Sequence, residues 1–238
     1  MQYQHHPLGL TIIFPPKGLI IMSPKELTKR YTLFIISLLF SGIGVAFTKT
    51  GALGVSPISS LANVLSLRFP FFSIGEWLIV TNLALVAGQI VILRREFRPI
   101  ELLQIPLSFL FGYFTDFGMW IASFVPVNSY PMQLVMVVLG VVILGFGISL
   151  SVAANVIMNA GEAFVRTLAA VTGRKFGNVK IAFDVGIVAF SAVLSLVLFG
   201  GRIEGIREGT LIAAFCTGLC VKLFSRAVHV PLNRFLEK

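Results

Sequence analysis

The chain has 238 residues, 56% apolar and 12% charged, with a mean hydropathy of +0.92. Soluble domains carry about 25% charge, so these values exclude an ordinary soluble fold and point to a single integral membrane domain. The formal charge of +9 comes from Lys and Arg spread over short inter-span segments. That pattern records topology and not a nucleic-acid surface, so no nucleic-acid partner is expected.

In chain order, residues 1–28 read as a cytoplasmic N-terminal tail. Ser23-Pro24-Lys25-Glu26 has the form of a capping box before the first span, and Met22 directly precedes it. Residues 1–21 therefore read as either a mobile tail or an upstream extension of the true start. His5 and His6 lie in that tail, without other metal ligands beside them.

Six apolar segments long enough to cross a bilayer follow: Tyr31–Thr48, Ile74–Leu93, Ile100–Phe124, Met132–Ala154, Val179–Phe199 and Thr210–Ser225. The transmembrane domain is placed at 29–228, and 229–238 is read as a cytoplasmic tail. All but four of the 19 Lys and Arg fall on alternate segments: the N-terminal tail, Arg94–Arg98, Arg166–Lys180 and the C-terminal end. The exceptions are Lys49, Arg68, Arg202 and Arg207. The positive-inside rule then puts both termini of a multi-pass protein in the cytoplasm, in a bacterial inner membrane.

Between the first and second spans, and again between the fourth and fifth, lies a polar-striped segment too short to cross. Sliding the chain by 103 residues sets Gly42-Ile43-Gly44 on Gly145-Phe146-Gly147, and Ser56, Ser59 and Asn63 on Asn159, Glu162 and Arg166. Each trio is spaced three then four, one stripe along a helix face. A shift of 106 sets Gly112 on Gly218. The predicted fold is therefore all-α: six transmembrane helices plus two half-length helices in two repeats, about 31–124 and 132–225. Three spans per repeat is an odd number, so the repeats have inverted topology, a plan of secondary transporters. Ser56 and Pro57 suit an N-cap and first helical position, and Asn159 with Glu162 resembles a capping pair. A re-entrant placement of both half-helices is favoured over an interfacial one.

The stretches FSGIGVAFTKTGALGVSPISSLANVLS, ELLQIPLSFLFGYFTDFGMW and NAGEAFVRTLAAVTGRKFGNVKIAFDVGIV resemble the YczE/YyaS/YitT family of bacterial integral membrane proteins, over roughly Tyr31 to Arg226. The chain ends soon after the sixth span, where YitT-type members continue into a soluble domain, so it looks closer to the YczE branch. The resemblance implies a multi-span fold and supplies no substrate.

Ionisable groups inside spans are costly and hence functional candidates. Asp116 and Asp184 are candidates for ion or proton coupling. Ser56, Ser59, Asn63, Asn82, Asn159 and Glu162 are candidates for solute binding, with Asp184 near the repeat equivalent of Thr81 and Asn82. The structural alternatives are a Lys180–Asp184 pair, a Glu162–Arg166 pair and an inter-helix hydrogen bond from Asp116. Trp77, Trp120 and Tyr130 fit outer interfacial belts, and Glu76 fits an outer helix end.

Asp116-Phe117-Gly118 matches a kinase metal motif only by chance, since the accompanying loops are missing. No enzyme activity, cofactor or metal is expected, and Cys216 and Cys220 on one helix face read as small buried side chains. The reading is a carrier of a small solute in the lipid bilayer. The alternative is a non-transporting membrane regulator or scaffold that binds a partner protein. Homo-oligomerisation is left open.

Overall fold

The computed structural model describes residues 24–236, with side chains described as far as residue 227. The expected cap at Ser23, the preceding tail and His229 lie outside these limits. Eight α-helices form among the described residues: α1 (Pro24–Thr50), α2 (Pro57–Arg68), α3 (Ile74–Leu93), α4 (Gln104–Ala122), α5 (Tyr130–Ala154), α6 (Ala160–Thr172), α7 (Phe176–Leu198) and α8 (Glu208–Leu236). All but α2 and α6 are long and apolar enough to cross a membrane. The protein is an all-α membrane protein.

The bounds of α3 match the apolar run, because Ser73 and Glu76 close a capping box at its start and Arg94 breaks it at φ 47°. The box also gives Glu76 a partner at that helix end. Elsewhere the helices outrun the hydropathy. α1 begins seven residues before Tyr31 and α8 continues beyond Ser225, since polar helix formers extend a helix past the apolar stretch without a hydropathic signal. The segment 99–103 is 3₁₀ before α4 begins, so the third expected span is shorter as an α-helix.

At the centre α1 and α5 pack along each other. Small residues let the backbones approach, as is usual where lipid supplies no hydrophobic drive between helices. A Cβ on Gly44 would lie 2.5 Å from the Leu144 nitrogen, and one on Gly147 would lie 2.6 Å from the Ser41 nitrogen. α4 lies against α1, and α8 against α5. A core of Phe34, Leu38, Val45, Leu78, Phe111 and Leu144 joins the first four spans. Cys216 and Cys220 are free thiols packed beside Leu53, Val137 and Val141. The half-helices exchange neighbours: α2 packs on α7, and α6 packs on α3. Buried Arg30, near the start of α1, bonds Glu26 at 2.9 Å and donates to the Ala154 carbonyl at 3.1 Å. It thereby satisfies an open acceptor at the α5 C-terminus.

Candidate functional site

The half-helices meet at their N-terminal ends. Ile58, in the first turn of α2, packs on Gly161, in the first turn of α6, where a Cβ would stand 2.9 Å from Ile58 Cδ1. From that meeting point the helices diverge. α2 ends with Arg68 donating to the Leu198 carbonyl at the end of α7, 3.2 Å away. α6 runs to the connection between α3 and α4, where Arg166 meets Glu101 at 2.8 Å.

At the α2 tip, Ser56 holds the N-cap position and Pro57 the first helical one, as expected. The Ser56 hydroxyl makes no cap bond; it donates to the Ser59 hydroxyl at 3.0 Å. One turn on, Ser60 meets Ser191 of α7 at 3.1 Å. Asn63 is committed elsewhere. It accepts from Lys49 at 2.8 Å and donates to the Gly205 carbonyl at 2.8 Å, and Lys49 also donates to Ser66 at 2.7 Å. The stripe thus divides into two serines at the tip and an asparagine that anchors α2 to α1 and to the α7–α8 connection.

At the α6 tip, Asn159 is the N-cap and accepts from the Ala160 amide at 2.9 Å. Behind it lies a buried amide relay. Gln89 donates to the Ala160 carbonyl and exchanges bonds with Gln104 at 3.0 and 3.2 Å, and Gln104 donates to Glu101 at 2.9 Å. Arg166 completes it. The Glu162–Arg166 alternative is therefore corrected: Arg166 reaches across to Glu101, and Glu162 is left to other charges. Those charges are Lys180 and Asp184 of α7. Lys180 is clasped by both oxygens of Asp184, the second at 2.6 Å, which is the structural alternative foreseen for Asp184.

Asn82 lies seven residues before Gln89 on α3, two turns along the same face and about 10 Å away. Gly75 and Ile79, on that face, pack on Gly112 of α4, and Gln89 bonds Gln104 of α4 as well as the first residue of α6, so Asn82 shares the α3 face that α4 covers. It is 3% exposed and its amide nitrogen has no hydrogen-bond partner. Asp184 likewise lies seven residues before Ser191 on α7. Ser56, Ser59, Asn159 and Glu162 thus stand in the first turns of the two touching tips, with Asp184 of α7 in electrostatic reach of Glu162, and Asn82 is not brought into contact with them.

Asp116 is not at that junction. Its carboxylate accepts from the Ser73 hydroxyl at 2.6 Å and the Gly75 amide at 3.0 Å, clamping α4 to the α3 N-terminus. Sequence reasoning also passed over Lys49, Gln89 and Gln104. The two glutamines were visible as amides at the ends of apolar runs, a signal as strong as that of Asn82.

The family of unknown function DUF6198 matches residues 28–226. The chain belongs to that family. It is 27% identical, over 89% of its own length and 92% of the relative's, to the uncharacterized membrane protein YczE of Bacillus subtilis (strain 168). No solved structure matches it. These findings agree with the resemblance drawn from the sequence, and they name no substrate.

Proposed function

We propose that the protein is a secondary carrier of a small solute, made of two inverted repeats whose half-helices enter a bacterial inner membrane from opposite faces. The contact between Ile58 and Gly161 carries this reading. Those two positions are equivalents under the 103-residue shift. A two-fold axis between the repeats would bring such equivalents together, and their contact supports it.

Other contacts pair off in the way such an axis requires. The shift carries Ser41 to Leu144 and Gly44 to Gly147, and the observed neighbours are Gly44 with Leu144 and Ser41 with Gly147. Gly42 against Phe114 corresponds to Gly145 against Cys220, through shifts of 103 and 106. Asn63 holds the α7–α8 connection at Gly205, and its equivalent Arg166 holds the α3–α4 connection at Glu101. With three spans per repeat, this arrangement supports opposite membrane senses and a site at mid-depth, where broken helices are tolerated around a cavity. The charge distribution supports cytoplasmic termini. On this reading α6 lies in the cytoplasmic half and α2 in the outer half.

Glu162 is the residue whose loss tests the proposal. In a screen of metabolites, at least one solute should raise the melting temperature of the purified protein and enter proteoliposomes. Glu162→Gln should lower both effects at least about tenfold while leaving the unliganded protein folded. The double change Glu101→Gln with Arg166→Gln removes a pair outside the junction and should retain solute binding. Full uptake by Glu162→Gln removes this residue from the site, and a wild type that answers to no solute favours a scaffold.

A further inference from the structure

In the first half of the chain the facing sides of α3 and α4 meet. Gly75 abuts the Gly112 carbonyl, and the Asp116 carboxylate accepts from Ser73 and Gly75 at the end of α3. The equivalent sides of α7 and α8 leave a seam between them. Gly177, Gly186 and Gly218 have no neighbouring atom within 4 Å of where a Cβ would stand. Ile181 and Val185 on α7, and Leu219 and Leu223 on α8, are 60–66% exposed. Apolar side chains facing lipid are ordinary in a spanning helix. Here they line a seam whose counterpart in the other half is closed by protein.

One end of that seam is strongly charged. Under the shift of 106, Lys222 takes the place of Asp116, so a cation stands where the first half has its clamping carboxylate. Arg226 follows one turn later on the same exposed stripe of α8, which runs through Ala214 and Gly218. Arg174 and Lys175 directly precede Phe176, the equivalent of Ser73, the partner of Asp116. All four cations are exposed, and none forms an ion pair among the described residues. α7 and α8 carry one carboxylate each. Asp184 is held by Lys180, and Glu208 lies at the opposite end of α8 beside Arg207. Closing this seam as α3 and α4 close would bring like charges together with no carboxylate between them.

We infer that the seam seats an anionic phospholipid. Its phosphate lies among Lys222, Arg226, Arg174 and Lys175, and an acyl chain runs along the glycine-lined sides of α7 and α8. Basic groups at the mouth of a gap between spans are suited to such headgroups. The apolar seam selects a lipid over a soluble anion, which would use the cations and leave the exposed apolar sides uncovered. A lipid can take this place whether or not the protein carries a solute.

The test uses the full purified chain, stripped of lipid in a neutral detergent and then given back one lipid at a time. Phosphatidylglycerol should raise the melting temperature in a saturable way. Phosphatidylcholine with the same acyl chains, and inorganic phosphate at the same concentration, should not. Lys222→Gln with Arg226→Gln should raise the phosphatidylglycerol concentration needed at least about tenfold, while the lipid-free protein melts as the wild type does. Arg95→Gln with Arg98→Gln removes two exposed cations from the connection between α3 and α4, beside the closed pair, and should leave the effect intact. Gly218→Leu alters no charge but fills the seam, and should weaken phosphatidylglycerol a few-fold.

Equal stabilisation by phosphatidylcholine would reduce the seam to ordinary lipid contact and overturn the proposal. Equal stabilisation by inorganic phosphate would put a soluble anion in place of the lipid. If the variant at Arg95 and Arg98 loses as much as the one at Lys222 and Arg226, net charge and not this seam is responsible. A wild type that is dimeric in lipid-free detergent, and made monomeric by Gly218→Leu, would give the seam to a second copy of the chain.

Discussion

The pairs α3–α4 and α7–α8 occupy equivalent places in the two halves of the chain, and they differ sharply. α3 and α4 are packed together: a Cβ on Gly75 would lie 2.2 Å from the Gly112 carbonyl oxygen. Asp116 locks the contact from α4. In the second half Gly75 falls on Asn178, beside Gly177, and Gly112 falls on Gly218; neither of these two glycines has a neighbouring atom within 4 Å of where its Cβ would be. α7 and α8 make no comparable packing. Only 11% of each of these spans is buried inside the protein, against 28% for α3 and 33% for α4. The pairings of α1 with α4 and α5 with α8, of α2 with α7 and α6 with α3, and of α2 with α3 and α6 with α7 do have counterparts, so the difference lies in this pair. In the carrier reading, the outer pair is shut and the cytoplasmic pair is open, with Lys180 and Asp184 on the open side. An exchange of these two conditions would carry the site from one face to the other.

The most complete effect should come from locking the open pair. In a background with Cys216 and Cys220 replaced by Ser, Gly177→Cys with Gly218→Cys should cross-link within one chain in native membranes. That link should abolish uptake until a reductant is added. A chain that never cross-links would mean that α7 and α8 do not close, and a link between two chains would make this surface an interface between copies.

The next effect is on stability. Gly75→Leu or Gly112→Leu forces a side chain into backbone and should cost about 3 kcal/mol or more, at the upper end of overpacking. Gly218→Leu and Gly177→Leu meet open space and should stay within about 0.5 kcal/mol. Thermal denaturation in detergent measures both sets. Equal losses would erase the contrast between the pairs.

How far the sequence alone reaches follows from the range of each interaction. The spans were legible because an apolar run of bilayer length is a local property, and the half-helices because a three-then-four polar stripe is local too. Ser56, Ser59, Asn82 and Glu162 stood out as polar groups in apolar surroundings. The roles of Asn63 and Asp116 were not legible. Asn63 answers to Lys49 and to Gly205, 142 residues away, and Asp116 to Ser73, 43 residues back. Arg166 shows the limit most clearly. Its spacing from Glu162 suggested a pair along one helix, but in the fold Glu101, 65 residues earlier, lies closer to hand. Spacing reports which groups share a face, and only the fold decides what that face meets.

The smallest of these effects separates two roles for Asp116. Asp116→Asn keeps the size of the side chain and one oxygen acceptor, but it removes the charge and turns the other oxygen into a donor. The amide oxygen can still accept from the Gly75 amide and the amide nitrogen can donate to the Ser73 hydroxyl, so both contacts persist but lose their charge assistance. Charge-assisted bonds of this kind contribute about 1.5–3 kcal/mol, and this one is partly exposed, so the cost should fall near the lower figure. The shift of 106 places Lys222, an exposed residue of α8, at the equivalent position. Lys222→Gln should therefore leave stability unchanged. Transport is the deciding measurement. As a helix clamp, Asp116→Asn should reduce uptake no more than a few-fold, in step with its loss of stability. As a proton carrier within the span, it would lose uptake altogether at unchanged stability, and that outcome would return Asp116 to the coupling site.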